Sequence, residues 1–167
     1  VSHSVQRGVK LIPNVKNIIA IASGKGGVGK STTAVNLALA LVAEGAKVGM
    51  LDADIYGPSQ PTMLGVHGRP ESRDGKSLEP MDAHGLQIMS IGFLLYSETP
   101  LVWLFPMVPP ALAQLFTDTR WRSLHYLFVD FPPVPVALPL PLAPLVPVTV
   151  AVIVTTPQDI ALIDARK

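Results

Sequence analysis

The chain has 167 residues, of which 15% are charged and 49% apolar, with a formal net charge of +1 and no cysteine. That length fits one domain and leaves little room for a second, and the near-neutral balance excludes a global field that would recruit nucleic acid or an anionic membrane. The missing cysteines exclude disulfides, thiolate metal sites and cysteine nucleophiles within these residues.

Residues 1–16 mix polar, basic and apolar side chains without the apolar core of a secretory signal. They read as a linker ahead of a partial domain at 17–167, and the whole as an internal, cytoplasmic fragment. Asn17 to Ala22 is a short β-branched run, apolar on both faces, which predicts a central parallel strand covered by helices on each side. From Ser31 an Ala- and Leu-rich stretch without Gly or Pro predicts a helix buried over most of its circumference and stopped at Gly45. Lys47 to Leu51 predicts a second strand, with Asp52-Ala53-Asp54 just beyond its end, so that strand, loop, helix and strand make a βαβ unit.

Between Tyr56 and Leu78, Gly, Pro, Ser and charged residues predict a surface excursion, and Leu86 to Ile91 a further strand. Val108 to Thr119 predicts a helix with Pro109 and Pro110 in its first turn, Leu112, Leu115 and Phe116 on one face and Trp121 packed beneath. Tyr126 to Asp130 is an apolar strand ending in a carboxylate; Val148 to Thr155 is another strand, with a helix expected from Gln158. Phe131 to Gln158 holds no charged residue, yet Pro132, Pro133, Pro135, Pro139, Pro141, Pro144 and Pro147 exclude an uninterrupted membrane helix.

The pattern G-x-x-x-x-G-K-[ST] is met by Gly24, Gly29, Lys30 and Ser31, between a predicted strand and the start of a predicted helix. Glycines let the backbone curl so that successive amides point at a phosphate, and the helix amino end adds partial positive charge. The segment Gly24-Lys25-Gly26-Gly27-Val28-Gly29-Lys30-Ser31-Thr32 therefore predicts a site for a nucleoside triphosphate, read as ATP with magnesium. Lys30 would reach the β- and γ-phosphates and the Ser31 hydroxyl would ligate magnesium. His3, His67, His84 and His125 have no mutual spacing of metal ligands, and Trp103, Phe105 and Trp121 read as packing residues because no basic stripe accompanies them.

Lys25 is a second lysine inside the loop. With Asp52-Ala53-Asp54-Ile55-Tyr56-Gly57-Pro58-Ser59 and Val152 to Leu162, the loop resembles the deviant Walker A ATPases, and within them the Mrp/ApbC iron-sulfur cluster carriers. The likeness runs from about Val15 to Lys167. It implies an incomplete α/β domain of the P-loop NTPase type, a mostly parallel sheet flanked by helices. It implies that Lys25 reaches across a homodimer to the partner's nucleotide, that Asp54 orients the attacking water, and that Asp52 lies close to the magnesium shell. Asp130 matches the Walker B carboxylate that holds magnesium through water. The resemblance further implies a 4Fe-4S cargo and recipient or scaffold proteins as partners, with no nucleic acid and no membrane.

The family's second switch reads Asp-x-Pro-Pro-Gly-Thr-Gly-Asp, where this chain has Asp130-Phe131-Pro132-Pro133-Val134-Pro135-Val136-Ala137. Pro135 has no amide hydrogen to offer a phosphate, so the phosphate-sensing contact that the resemblance implies is missing at that position. Cluster carriage is implied by resemblance alone, since clusters need thiolates that this chain lacks. Two other readings share the loop: a ParA- or MinD-like positioning ATPase, and a nucleotide-binding module without hydrolysis.

Overall fold

The computed structural model describes residues 12–94, 108–133 and 147–158. Strand β1 (Val15–Ala22) runs into a glycine-rich turn and helix α1 (Lys30–Ala43), then β2 (Val48–Asp52) and a short helix α2 (Gln60–Leu64). A hairpin of β3 (Met81–Ala83) and β4 (Leu86–Ser90) follows, then α3 (Val108–Asp118), β5 (Leu124–Asp130) and β6 (Val150–Ile153). The six strands form one sheet in the order β3-β4-β2-β5-β1-β6. All neighbours are parallel except β3 and β4, joined through His84 and Gly85, both at positive φ.

The apolar runs became strands as expected: both faces of the central strands are covered, while the edge strand β6 is largely exposed. On one face, Ala34, Val35 and Ala38 of α1 pack with Leu64 against Ile21, Met50, Ile88 and Phe128. On the other, Leu112, Leu115 and Phe116 of α3 pack with Trp121 against Ile18, Ala20, Leu51, Leu127 and Val129. Trp121 thus lies beneath α3, as its sequence position predicted.

Two expectations change. Helix α1 is not buried most of the way round: Lys30, Ala34, Val35 and Ala38 form its one buried stripe, and Leu37 is 40% exposed. A helix laid on one face of a sheet buries only the residues that face it, and Ala/Leu richness does not reveal which those are. The excursion after Tyr56 is not wholly superficial, since it contains α2 with Gln60 and Leu64 both buried. The expected βαβ unit is present, its crossover passing over one strand, since β5 lies between β1 and β2 and pairs with both.

Gly49 in β2 answers to packing. A Cβ built there would stand 2.5 Å from Leu124 Cδ1 and 3.1 Å from both Leu127 Cδ1 and Trp121 Cζ3. Helix α1 closes at Gly45, whose positive φ lets Gly45 N bond Val42 O and Ala46 N bond Leu41 O. Among the described residues no helix is long and apolar enough to cross a membrane. The expected linker up to residue 11, Trp103, Phe105, the second-switch residues from Val134 onward and the helix beyond Gln158 lie outside the described residues.

Candidate functional site

Parallel pairing brings the carboxyl ends of three strands together. In the ladder Ile21 stands opposite Asp130, and Asp52 opposite Asp130 from the other side. The turn from β1 into α1 spans Ser23 to Gly29 and ends above these carboxylates. Gly27 (φ 74°) and Gly29 (φ 85°) take the left-handed conformation that side chains resist, and nothing among the described residues lies within 4 Å of where their Cβ atoms would be. The Ser23 hydroxyl donates to Lys25 O at 2.9 Å, tying the start of the curl. No acidic residue sits in the first turn of α1, so its amide end keeps its positive character.

Lys30 opens α1 and is 6% exposed. Its ammonium pairs with Asp130 Oδ1 and, at 3.5 Å, with Asp54 Oδ2, and stands 3.4 Å from Ser31 Oγ. Asp130 is fully buried, and its Oδ2 accepts from Gln60 Nε2 at 2.9 Å. The same Gln60 nitrogen donates to Ser31 O at 2.9 Å. Asp52, also fully buried, accepts from Asp54 N at Oδ1 (3.1 Å) and from Gln60 N at Oδ2 (3.0 Å), which braces the turn between β2 and α2. Asp54 Oδ1 in turn accepts from Tyr56 N at 3.1 Å.

Burial pushes the Asp52 carboxyl up to about 7, against the pull of its two amide donors and with the Asp130 and Asp54 carboxylates adding to the rise. Burial also raises Asp54 above its ordinary value, opposed chiefly by the Lys30 ammonium.

The structure therefore brings together Lys30, Ser31, Asp52, Asp54 and Asp130 of the sequence-derived set. Gly24 and Val28 are half-buried in the turn, Gly26 is exposed with its Cβ position 3.9 Å from Pro133 Cγ, and Thr32 is exposed on α1. Lys25 stands apart, half-buried and without an ion-pair partner among the described residues. Gln60 was not singled out from the sequence, because a glutamine beside Ser59-Pro61 carries no local sign of partners 29 and 70 residues away. His84 Nε2 lies 3.1 Å from Leu64 O, and His125 Nδ1 accepts from Lys47 N.

Chemically this is a cluster of hard oxygen donors and one ammonium beneath a positive-φ loop and a helix amino end. Such a donor set suits magnesium and a polyphosphate. Among the described residues no three His, Cys, Asp or Glu side chains form a cage for a metal.

A family described as ParA, NUBPL iron-transfer P-loop NTPase, is matched over residues 14–167. The chain is 58% identical over 167 residues to an iron-sulfur cluster carrier protein of Pseudomonas fragi, covering 99% of this chain and 58% of that protein. It is 60% identical over 157 residues to the protein of the same description from Escherichia coli, covering 93% of this chain and 42% of the relative. The chain thus spans about half the length of these relatives. A solved nucleotide-binding protein from Archaeoglobus fulgidus in complex with ADP superposes with a TM-score of 0.68 at 30% identity, covering 93% of this chain and 61% of that one.

Proposed function

The chain belongs to the NUBPL iron-transfer family of ParA-type P-loop NTPases, and from that premise we propose that it is the nucleotide-binding part of an ATP-dependent iron-sulfur cluster carrier. The observation that carries the proposal is the convergence of Lys30, Ser31, Asp54 and Asp130 under the loop of Gly24 to Gly29. The positioning-ATPase reading rests on the shared loop alone, whereas the relatives at 58% and 60% identity carry the cluster-carrier name.

On this reading the loop amides and the α1 amino end hold the phosphates, and Lys30 transfers its ammonium from Asp130 to the terminal phosphate oxygens. Release of Lys30 frees Asp130 Oδ1, which with the Ser31 hydroxyl would hold magnesium. Asp52 stays close by as the brace of the turn. An ion held there would supply positive charge against the phosphate oxygens. Asp54 orients the attacking water from the mouth of the site, and Lys25, unpaired within its own chain among the described residues, reaches the partner's nucleotide in a homodimer. The cluster is cargo: its thiolate ligands are not among these residues, and recipient or scaffold proteins of the cytoplasm would exchange it.

Calorimetry with ADP and magnesium, paired with phosphate release from ATP, tests this. Asp54→Ala is expected to cut turnover at least ~100-fold while affinity stays within ~3-fold, as loss of a water-orienting group demands. Absence of any nucleotide heat from the folded chain would sink the proposal, and tight binding without turnover in the unaltered chain would leave only a binding module.

A further inference from the structure

Gln60 is the first residue of α2, and its side chain is fully buried among three separate segments of the site. Its carboxamide nitrogen faces two acceptors, Ser31 O on the loop helix and Asp130 Oδ2 at the end of β5, each at 2.9 Å. Its backbone nitrogen holds Asp52 Oδ2 at the end of β2. The orientation of the amide is forced: reversed, its oxygen would face a carbonyl and a carboxylate. This leaves Gln60 Oε1 buried and without a hydrogen-bond partner among the described residues, a condition that costs about 1–3 kcal/mol and is rare unless a ligand or water relieves it.

We propose that Gln60 is a positioning residue of the magnesium site, aligning Asp130 through Nε2 and offering Oε1 to a hydrogen donor, such as a metal-bound water, that arrives with the ion. The inference rests on the nucleotide reading above. Once Lys30 turns to phosphate, Gln60 is the side-chain donor among the described residues that still fixes the Asp130 carboxylate, and by gripping Ser31 O it sets the spacing between that carboxylate and the Ser31 hydroxyl. An apolar side chain of the same volume would leave Ser31 O and Asp130 Oδ2 without this shared donor. Partners of this kind typically govern metal affinity by 10–100-fold.

The experiment uses the full chain with ADP, reading Mn2+ affinity by electron paramagnetic resonance and ADP affinity in EDTA by calorimetry. Gln60→Met is expected to weaken Mn2+ binding to the ADP complex by ~10–100-fold, with metal-free ADP affinity held within ~3-fold. A double-mutant cycle with Asp130→Asn is the second measurement, because a residue that acts through Asp130 loses its effect on Mn2+ affinity once that carboxylate is gone, whereas simple loss of packing does not. Unchanged Mn2+ affinity in a folded Gln60→Met chain, or an equal further loss when Asp130→Asn is already in place, overturns this inference alone. Failure of the unaltered chain to bind ADP overturns it together with the nucleotide reading.

Discussion

Replacing Lys30 with methionine keeps the length of the side chain and removes its charge, which separates what Lys30 does for the fold from what it does for phosphate. Lys30 is 6% exposed and Asp130 fully buried, so the substitution leaves a carboxylate in the interior with Gln60 Nε2 as its remaining side-chain donor among the described residues. Breaking a buried pair from one side costs about 3–5 kcal/mol, far more than the pair contributes in net terms, because the stranded charge has lost water without compensation. For a chain of this size each kcal/mol moves Tm by roughly 2–4 °C, so Lys30→Met should melt about 6–20 °C below the unaltered chain in nucleotide-free buffer. The double variant Lys30→Met/Asp130→Asn removes both charges and should recover about 2 kcal/mol or more, a coupling expected of residues in direct contact. Its ADP affinity should stay at least ~10-fold down, since no second mutation returns the ammonium to the phosphates. Thermal unfolding and calorimetry on the four chains of this cycle supply both readouts. A Lys30→Met chain melting within 2 °C of the unaltered one, or a double variant no more stable than Lys30→Met, would refute the reasoning.

Gly49→Ala should cost about 1–3 kcal/mol by overpacking against Leu124, Leu127 and Trp121, with partial recovery when Leu124 is shortened to valine; urea unfolding reads both, and a neutral Gly49→Ala would mean that the contact yields. The raised Asp52 carboxyl sets a pH dependence: the folded state keeps a proton up to about 7 that the unfolded chain releases near 3.8. Its contribution is therefore fully present below 3.8 and is lost as pH rises to about 7. The span corresponds to at most about 4 kcal/mol, and the burial-raised Asp54 adds a change of the same sign. Urea unfolding at stepped pH should show a shallower loss between those limits for Asp52→Asn than for the unaltered chain; identical slopes would discount the group.

The loop and its flanking strand and helix were legible because their determinants are consecutive: Gly24 to Ser31 states its own geometry, and the short apolar runs around Ile19, Phe128 and Val152 state theirs. Asp54 and Asp130 were found as carboxylates at strand ends, and register then set Asp130 beside Asp52. What stayed hidden depends on residues distant in sequence. The place of β5 in the sheet has no local signature, and neither has the grip of Gln60 on Ser31 and Asp130. Met81 to Ala83 is too short for a period to show. The exposed side of α1 was misread because Leu37 and Ala38 look alike in composition while only Ala38 faces the sheet.

The central place of β5 also dictates an order of assembly. Strands β1 and β2 each need β5 as a neighbour, yet it is made more than seventy residues after β2 ends. Until Leu124 to Asp130 leaves the ribosome, the earlier strands present raw edges with no mate, a template for pairing between nascent chains. The phosphate loop is synthesised early and completed late, so its lysine meets Asp130 only when a long-range closure, slow by its topology, has brought the last wall into place.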